Sequence, residues 1–177
     1  MIMAQGSNSN PMQQIFLDKV VINIGVGQNE NLVENAKALI KKLTDHNAGT
    51  TVSKRRDPEL KLRKGQLIGA VSTLRKKEAY DFLKRALDAN SNTLTKGAVA
   101  GNSLNFGIKE YIYFTGVKYD PKIGILGMNV NAAFARKGAR VAKRRRKSGI
   151  PGRKHSKITK EEIMHYLEGN FKVKMQE

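Results

Sequence analysis

With 177 residues, 40% of them hydrophobic and no tryptophan, the chain is long enough for one ordinary domain whose core rests on Val, Ile, Leu and Ala. Its formal net charge of +18 opposes compaction by self-repulsion, so a phosphate-rich partner is the default expectation. With no cysteine, disulfides, thiolate catalysis and Cys-based zinc sites are excluded, and the composition fits a reducing interior.

Residues 1–14 read as a disordered polar lead, without the charged and apolar regions of a secretory signal; Met3 is an equally good start, and a cytoplasmic protein is expected. Lys19 to Gly27 (KVVINIGVG) alternates like a strand, with Val20, Ile22, Ile24 and Val26 on one side and Val21, Asn23 and Gly25 on the other. An amphipathic helix follows from about Asn29 to Leu43, its stripe made by Leu32, Val33, Ala36, Leu39, Ile40 and Leu43. The glycines of GVGQNE suggest a nucleotide loop, but the third glycine and the later acidic residue are missing, so a tight turn is the better reading.

Thr51 to Arg75 (TVSKRRDPELKLRKGQLIGAVSTLR) is a β-like start, a charged loop and a second strand from Leu67. It presents Lys54, Arg55, Arg56, Lys61, Arg63 and Lys64 where two strands meet, a common place for a binding surface. A second helix is expected from Lys76 to about Leu87. Its Lys76, Lys77, Lys84 and Arg85 serve either solvation or RNA contact.

From Asp88 to Asn105 periodicity fades into a loop or loose hairpin, and Phe106 to Val117 is rich in β-formers. Tyr111, Tyr113 and Phe114 there could be base-stacking platforms, but sheet core or sheet edge is the commoner role of such residues and the better reading. Tyr119-Asp120-Pro121 signals a turn, and Met128 to Ala135 is a final long strand.

From Phe134 through Lys160 the chain has twelve Lys/Arg residues and no acid. Arg140, Lys143, Arg144, Arg145, Arg146, Lys147, Arg153 and Lys154 fall in an extended basic loop at about 136–158, with too little apolar surface to order itself alone. Thr159 and Glu162 then have capping-box spacing, Ile163, Tyr166 and Leu167 give a short helix its stripe, and Phe171 to Met175 alternates like an edge strand.

Catalytic chemistry has no footing. His46, His155 and His165 form no metal-ligand motif, no nucleophile, zinc-protease or P-loop signature occurs, and fifteen acids in so basic a chain leave little to hold a cation. No apolar run approaches the length of about twenty residues that spans a bilayer. No cofactor, no metal, no membrane and no enzyme activity are expected. A nucleic-acid binder is, either fixed in a ribonucleoprotein or free-standing.

KVVINIGVG, the following helix, TVSKRRDPELKLRKGQLIGAVSTLR, FGIKE and YDPKIGILGMNV occur in an order that resembles the universal large-subunit ribosomal protein five family, over roughly Ile15 to Lys174. RVAKRRRKSGIPGRKHSKITKEEIMHYLEGNFKVK resembles the archaeal and eukaryotic branch, which carries this insertion. The resemblance implies an α/β (α+β) fold: a single domain at 15–177, with an antiparallel sheet, helices packed on one face and long basic loops. It also implies binding to 5S rRNA in the central protuberance. The family's RNA-contacting strand asparagine matches Asn23 and its threonine matches Thr73, beside Arg75; parity allows both on the open face. The loop at about Arg55 to Lys64 is implied to reach P-site tRNA, and the basic insertion to follow large-subunit rRNA. Neighbouring ribosomal proteins, including one of the small-subunit head, are implied partners. Two positions depart from the family: a glutamine is replaced near His46-Asn47, and a phenylalanine falls on Leu60.

Overall fold

The computed structural model of the chain describes residues 10–152 and 157–176. After a 3-10 turn at Pro11–Gln13 come β1 (Ile15–Gly25), α1 (Glu30–Thr44), β2 (Gly49–Val52), β3 (Leu67–Leu74) and α2 (Lys76–Ala89). Short strands β4 (Thr93–Thr95) and β5 (Val99–Ala100) lead to β6 (Ser103–Ile108) and β7 (Met128–Arg136). The chain then forms α3 (Arg140–Lys143), α4 (Lys160–Phe171) and β8 (Lys174–Gln176). Of the disordered lead expected at residues 1–14, residues 1–9 lie outside the described residues, whereas residues 10–14 hold the 3-10 turn, capped by the Asn10 side chain accepting the Met12 N–H.

Six strands form one antiparallel sheet in the order β2-β3-β1-β7-β6-β5. β1 is central because its even-numbered side chains Val20, Ile22 and Ile24 are fully buried, and alternation sends such a set to one face. On that face the sheet and helices share one core. Leu39 and Ile40 of α1, Phe82 and Leu83 of α2, and Ile163 and Leu167 of α4 are all fully or almost fully buried there. Each such side chain contributes roughly 1.5–3 kcal/mol of transfer free energy. The expected α+β architecture, with helices on one face, is therefore present.

Three stretches differ from the sequence expectation. The β-rich run from Phe106 to Val117 is a strand only to Ile108; Tyr111–Tyr113 is a 3-10 turn. The Tyr111 ring is fully buried and its hydroxyl accepts the Asp120 backbone N–H at 2.9 Å, so burial of one aromatic ends the strand. The tail is not an edge strand from Phe171. α4 continues through that residue, whose ring packs on Tyr80 at 4.7 Å, and β8 pairs in parallel with β4. The 88–105 stretch, expected as a loop or loose hairpin, supplies β4 and the tight antiparallel hairpin of β5 with the start of β6.

The basic stretch at 136–158 is not extended from its start. β7 runs through Arg136, Gly138 takes a left-handed φ of 89°, and the next residues close the helical turn α3. Arg153 and Lys154 lie outside the described residues. Past them, the Thr159 hydroxyl accepts the Glu162 N–H and the Glu162 carboxylate accepts the Thr159 N–H, completing the expected capping box. The same carboxylate takes two short bonds, 2.7 and 2.8 Å, from the Arg136 guanidinium.

Burial pushes the Glu162 carboxyl up, but the Thr159 N–H and the Arg136 guanidinium outweigh it and hold the group below its ordinary range. A depressed carboxyl stabilises above its unfolded value and loses that contribution as pH falls through the folded one. Glu162→Gln is expected to cost about 1 kcal/mol in urea unfolding at neutral pH. The gap from wild type should close in acid, below the ordinary carboxylate range; a gap unchanged in acid would disprove the linkage.

Candidate nucleic-acid interface

Because Val20, Ile22 and Ile24 face the helices, the odd-numbered residues of β1 face outward. The registers extend that surface: Asn23 sits opposite Val71 on β3 and Asn129 on β7, while Val21 sits opposite Thr73 and Asn131. Asn131 in turn faces Asn105 on β6. Four asparagines and a threonine therefore share the face opposite α1, α2 and α4.

Their order is graded. Asn131 donates its amide to Asn105 Oδ1 at 3.0 Å, and Asn105 donates to Ser103 Oγ at 3.3 Å, so this end is fixed in advance. Asn23, Thr73 and Asn129 are exposed, and their side chains have no hydrogen-bond partner among the described residues. An amide offers both a donor and an acceptor, which suits 2′-hydroxyls and base edges in the shallow minor groove of RNA.

The rest of the face is kept low by glycine. Gly25 faces Gly69 across β1 and β3. A Cβ on Gly69 would collide with the Ile24 carbonyl oxygen and sit 3.0 Å from the Thr51 hydroxyl. Gly107 faces Asn129, and a Cβ there would lie 3.2 Å from its Oδ1.

Two basic loops flank this neutral strip. The loop between β2 and β3 is an ordered hairpin extension. Asp57 and Leu62 exchange backbone hydrogen bonds, Asp57 Oδ1 accepts from the Glu59 and Leu60 N–H groups, and Lys61 turns through a left-handed φ of 53°. Gln28 donates to the Leu60 carbonyl at 2.9 Å, tying the tip to the β1–α1 turn. Lys54, Arg55, Arg56, Lys61, Arg63 and Lys64 are all exposed and pair with no acid among the described residues.

The second loop folds back on β1. Lys143 pairs with Asp18 at 2.7 Å, and Arg75 approaches the same carboxylate at 3.7 Å. Arg144 Nε donates to the Lys147 carbonyl at 2.6 Å, and Gly149 N–H donates to the Val141 carbonyl. Arg140, Arg145 and Arg146 are exposed. The structure therefore brings Arg75 together with Arg140 and Lys143 at one end of the face that carries Asn23 and Thr73, and leaves Arg145 and Arg146 exposed.

Two family models match the chain: "Ribosomal protein L5" over residues 10–63, and the model of the C-terminus of the same ribosomal family over residues 67–166. The chain belongs to the ribosomal protein L5 family. It is 40% identical to the large ribosomal subunit protein uL5 of Archaeoglobus fulgidus over 164 residues, 93% of this chain and 92% of that one. It is 42% identical to that of Pyrobaculum aerophilum, covering 90% and 89%, and 40% identical to that of Thermoplasma acidophilum, covering 93% and 97%. Members of this family are structural proteins of the ribosome rather than enzymes. Among the described residues, no helix is long and apolar enough to cross a membrane, and no group of three or more His or acidic side chains has metal-binding geometry.

Within this family member, several readings left open by the sequence are decided. Tyr111 and Phe114 are core residues, fully or almost fully buried, so they stack on no base; Tyr113 is the exposed one. His46 is bonded to Glu78 of α2 at 2.9 Å, and Leu60 is 60% exposed at the loop tip. Arg85 serves the fold, since it donates to the Leu43 carbonyl at the end of α1 and lies over the Phe82 ring. Sequence reasoning missed Asn105, Asn129 and Asn131. The signal for the last two was present: they alternate with the buried Met128, Val130 and Ala132.

Gly69→Ala, which pushes β1 and β3 apart at Ile24, is expected to lose roughly 2–3 kcal/mol. Gly27→Asn should lose much less, because Asn tolerates the left-handed φ of 67° and no atom lies near its Cβ. Chemical denaturation of the two variants compares them directly.

Proposed function

We propose that this chain is a structural constituent of the large subunit of the cytoplasmic ribosome, where it binds 5S rRNA and anchors it in the central protuberance. The observation that carries this is the sheet face opposite α1, α2 and α4: a low, uncharged strip of amides, Asn23, Asn129, Asn131 and Asn105, flanked by two clusters of cations. Such a surface reads RNA by shape and sugar contacts while the cations neutralise phosphates.

Roles divide along the same geometry. Asn23 and Thr73 contact 5S rRNA, with Arg75 at the edge of the face. Arg140, Lys143, Arg144, Arg145, Arg146 and Lys147, followed by Arg153 and Lys154, track large-subunit rRNA. The six cations at 54–64 reach P-site tRNA, and the protein contributes to the bridge to the small-subunit head through neighbouring ribosomal proteins. Residues 15–177 act as one domain with the basic insertion at 136–158.

With 6–10 phosphates contacted, affinity for 5S rRNA should fall about 10³–10⁵-fold between 50 and 200 mM salt. Replacing Asn23 and Thr73 together by Ala should weaken 5S binding roughly tenfold with the salt slope unchanged, since neutral hydrogen bonds release no counterions. Arg145→Gln with Arg146→Gln should instead flatten the slope by about 0.7–0.9 for each phosphate no longer neutralised. Gel-shift titrations across salt separate the two classes, and identical behaviour of both variants would refute the division of roles.

A further inference from the structure

At one end of the open face lies a cavity of about 460 Å³, lined by Phe16, Asp18, Lys19, Arg75, Arg140 and Lys143 together with two alanines. A bulge in β1 builds it. Leu17 pairs with the buried Phe134, but Lys19, not Asp18, pairs with the next residue of β7, Ala133. The extra residue puts both Phe16 and Lys19 on the outer face, in line with Val21 and Asn23. Arg75, two residues beyond Thr73, reaches the same side from β3. The basic segment completes the lining with Ala139, Arg140 and Lys143.

We propose that this cavity seats one unpaired nucleotide of RNA, with its phosphate on the cations and its base against Phe16. Four cations meet a single carboxylate, a local excess of +3 (four minus one). The Asp18 side chain is 22% exposed and engages Lys143 and Arg75 together, holding both cations at the cavity. Lys19 and Arg140 have no acid partner among the described residues, so the site has unmet demand for an anion.

A phosphate alone does not account for the space, which falls in the range of about 300–1,000 Å³ typical of small-molecule sites. Nor does it account for the wall: Phe16 is 38% exposed, an aromatic ring lining the same cavity as Arg75 and Arg140, and aromatic rings in a cationic groove are what single-stranded bases stack on. Continuity with the amide strip, through Lys19 opposite Ala133 and Val21 opposite Asn131, makes the occupant part of an RNA chain rather than a free nucleotide. The inference rests on the RNA-binding reading of that strip.

Fluorescence anisotropy on the full chain tests it with three probes: a short oligoadenylate, a blunt RNA duplex of equal length, and adenosine monophosphate as competitor. Phe16→Leu is expected to weaken oligoadenylate binding roughly tenfold, the size of one base–aromatic stack. Phe16→Tyr should restore binding, and the duplex should bind all three proteins alike. Arg140→Gln should weaken both RNAs. Adenosine monophosphate should compete poorly; competition equal to that of the oligonucleotide would overturn the assignment to RNA. Should the Leu variant melt early, Lys19→Gln with Phe16→Tyr as control carries the comparison. No loss in Phe16→Leu, or equal loss on both RNAs, overturns the proposal. A parallel 5S rRNA titration keeps the two readings apart: Phe16-dependent oligoadenylate binding without 5S binding sinks only the 5S reading, and intact 5S binding without Phe16 dependence sinks only the cavity.

Discussion

Strand β1 is hydrogen-bonded along both edges, to β3 and to β7, and both registers meet at Asn23, which faces Val71 on one side and Asn129 on the other. The rest of the molecule depends on that double pairing. A strand in the middle of a sheet has two faces and one core, so its alternation decides which side the helices cover. Slipping either register by one residue would turn Ile22 outward and drive the Asn23 amide into the core, where an unpaired polar group costs several kcal/mol. Fold and binding face are thus selected by the same pattern: the side chains that refuse burial are the ones left available to a partner.

Charge is organised around this neutral centre in two different ways. The 54–64 loop orders itself through backbone bonds and the Asp57 side chain, leaving its cations unpaired. The second basic segment uses acids and amides of the N-terminal strand. Lys143 is held by Asp18, and Lys137 Nζ donates to Gln14 at 3.0 Å. Such exposed contacts are each worth little, yet together they hold the start of the segment, Arg140 and Lys143, against the cavity beside β1. Self-repulsion remains unresolved at Arg145 and Arg146, and this is where an external polyanion gains most.

Much of this was legible in the residues. The helical periods of Val33, Ala36, Leu39 and Ile40 and of Ala79, Phe82 and Leu83, and the Thr159–Glu162 box, all report local interactions, so they survive folding unchanged. The parity of Asn23 was equally plain. What escaped depends on partners distant in the chain. The β1 bulge is fixed by pairing with β7, and the parallel pairing of β4 with β8 joins segments some eighty residues apart. The turn at Tyr111–Tyr113 replaces a strand of good β-formers because tertiary burial of one ring overrides propensity. Asn129 and Asn131 were overlooked for another reason: their significance appears only when β7 is laid beside β1.

The bond between Arg136 and Glu162 has an architectural consequence. These residues bracket the basic segment, one at the last position of β7 and the other in the first turn of α4, so the two-pronged contact fastens the neck of a loop whose contents lie outside it. With the neck closed, doubling the loop length costs only about 0.6 kcal/mol of closure entropy. The sheet and α4 are therefore indifferent to how long or how basic the enclosed segment becomes. Such a neck lets a lineage lengthen, shorten or recharge the appendage to follow changes in its RNA without reopening the question of how the body folds.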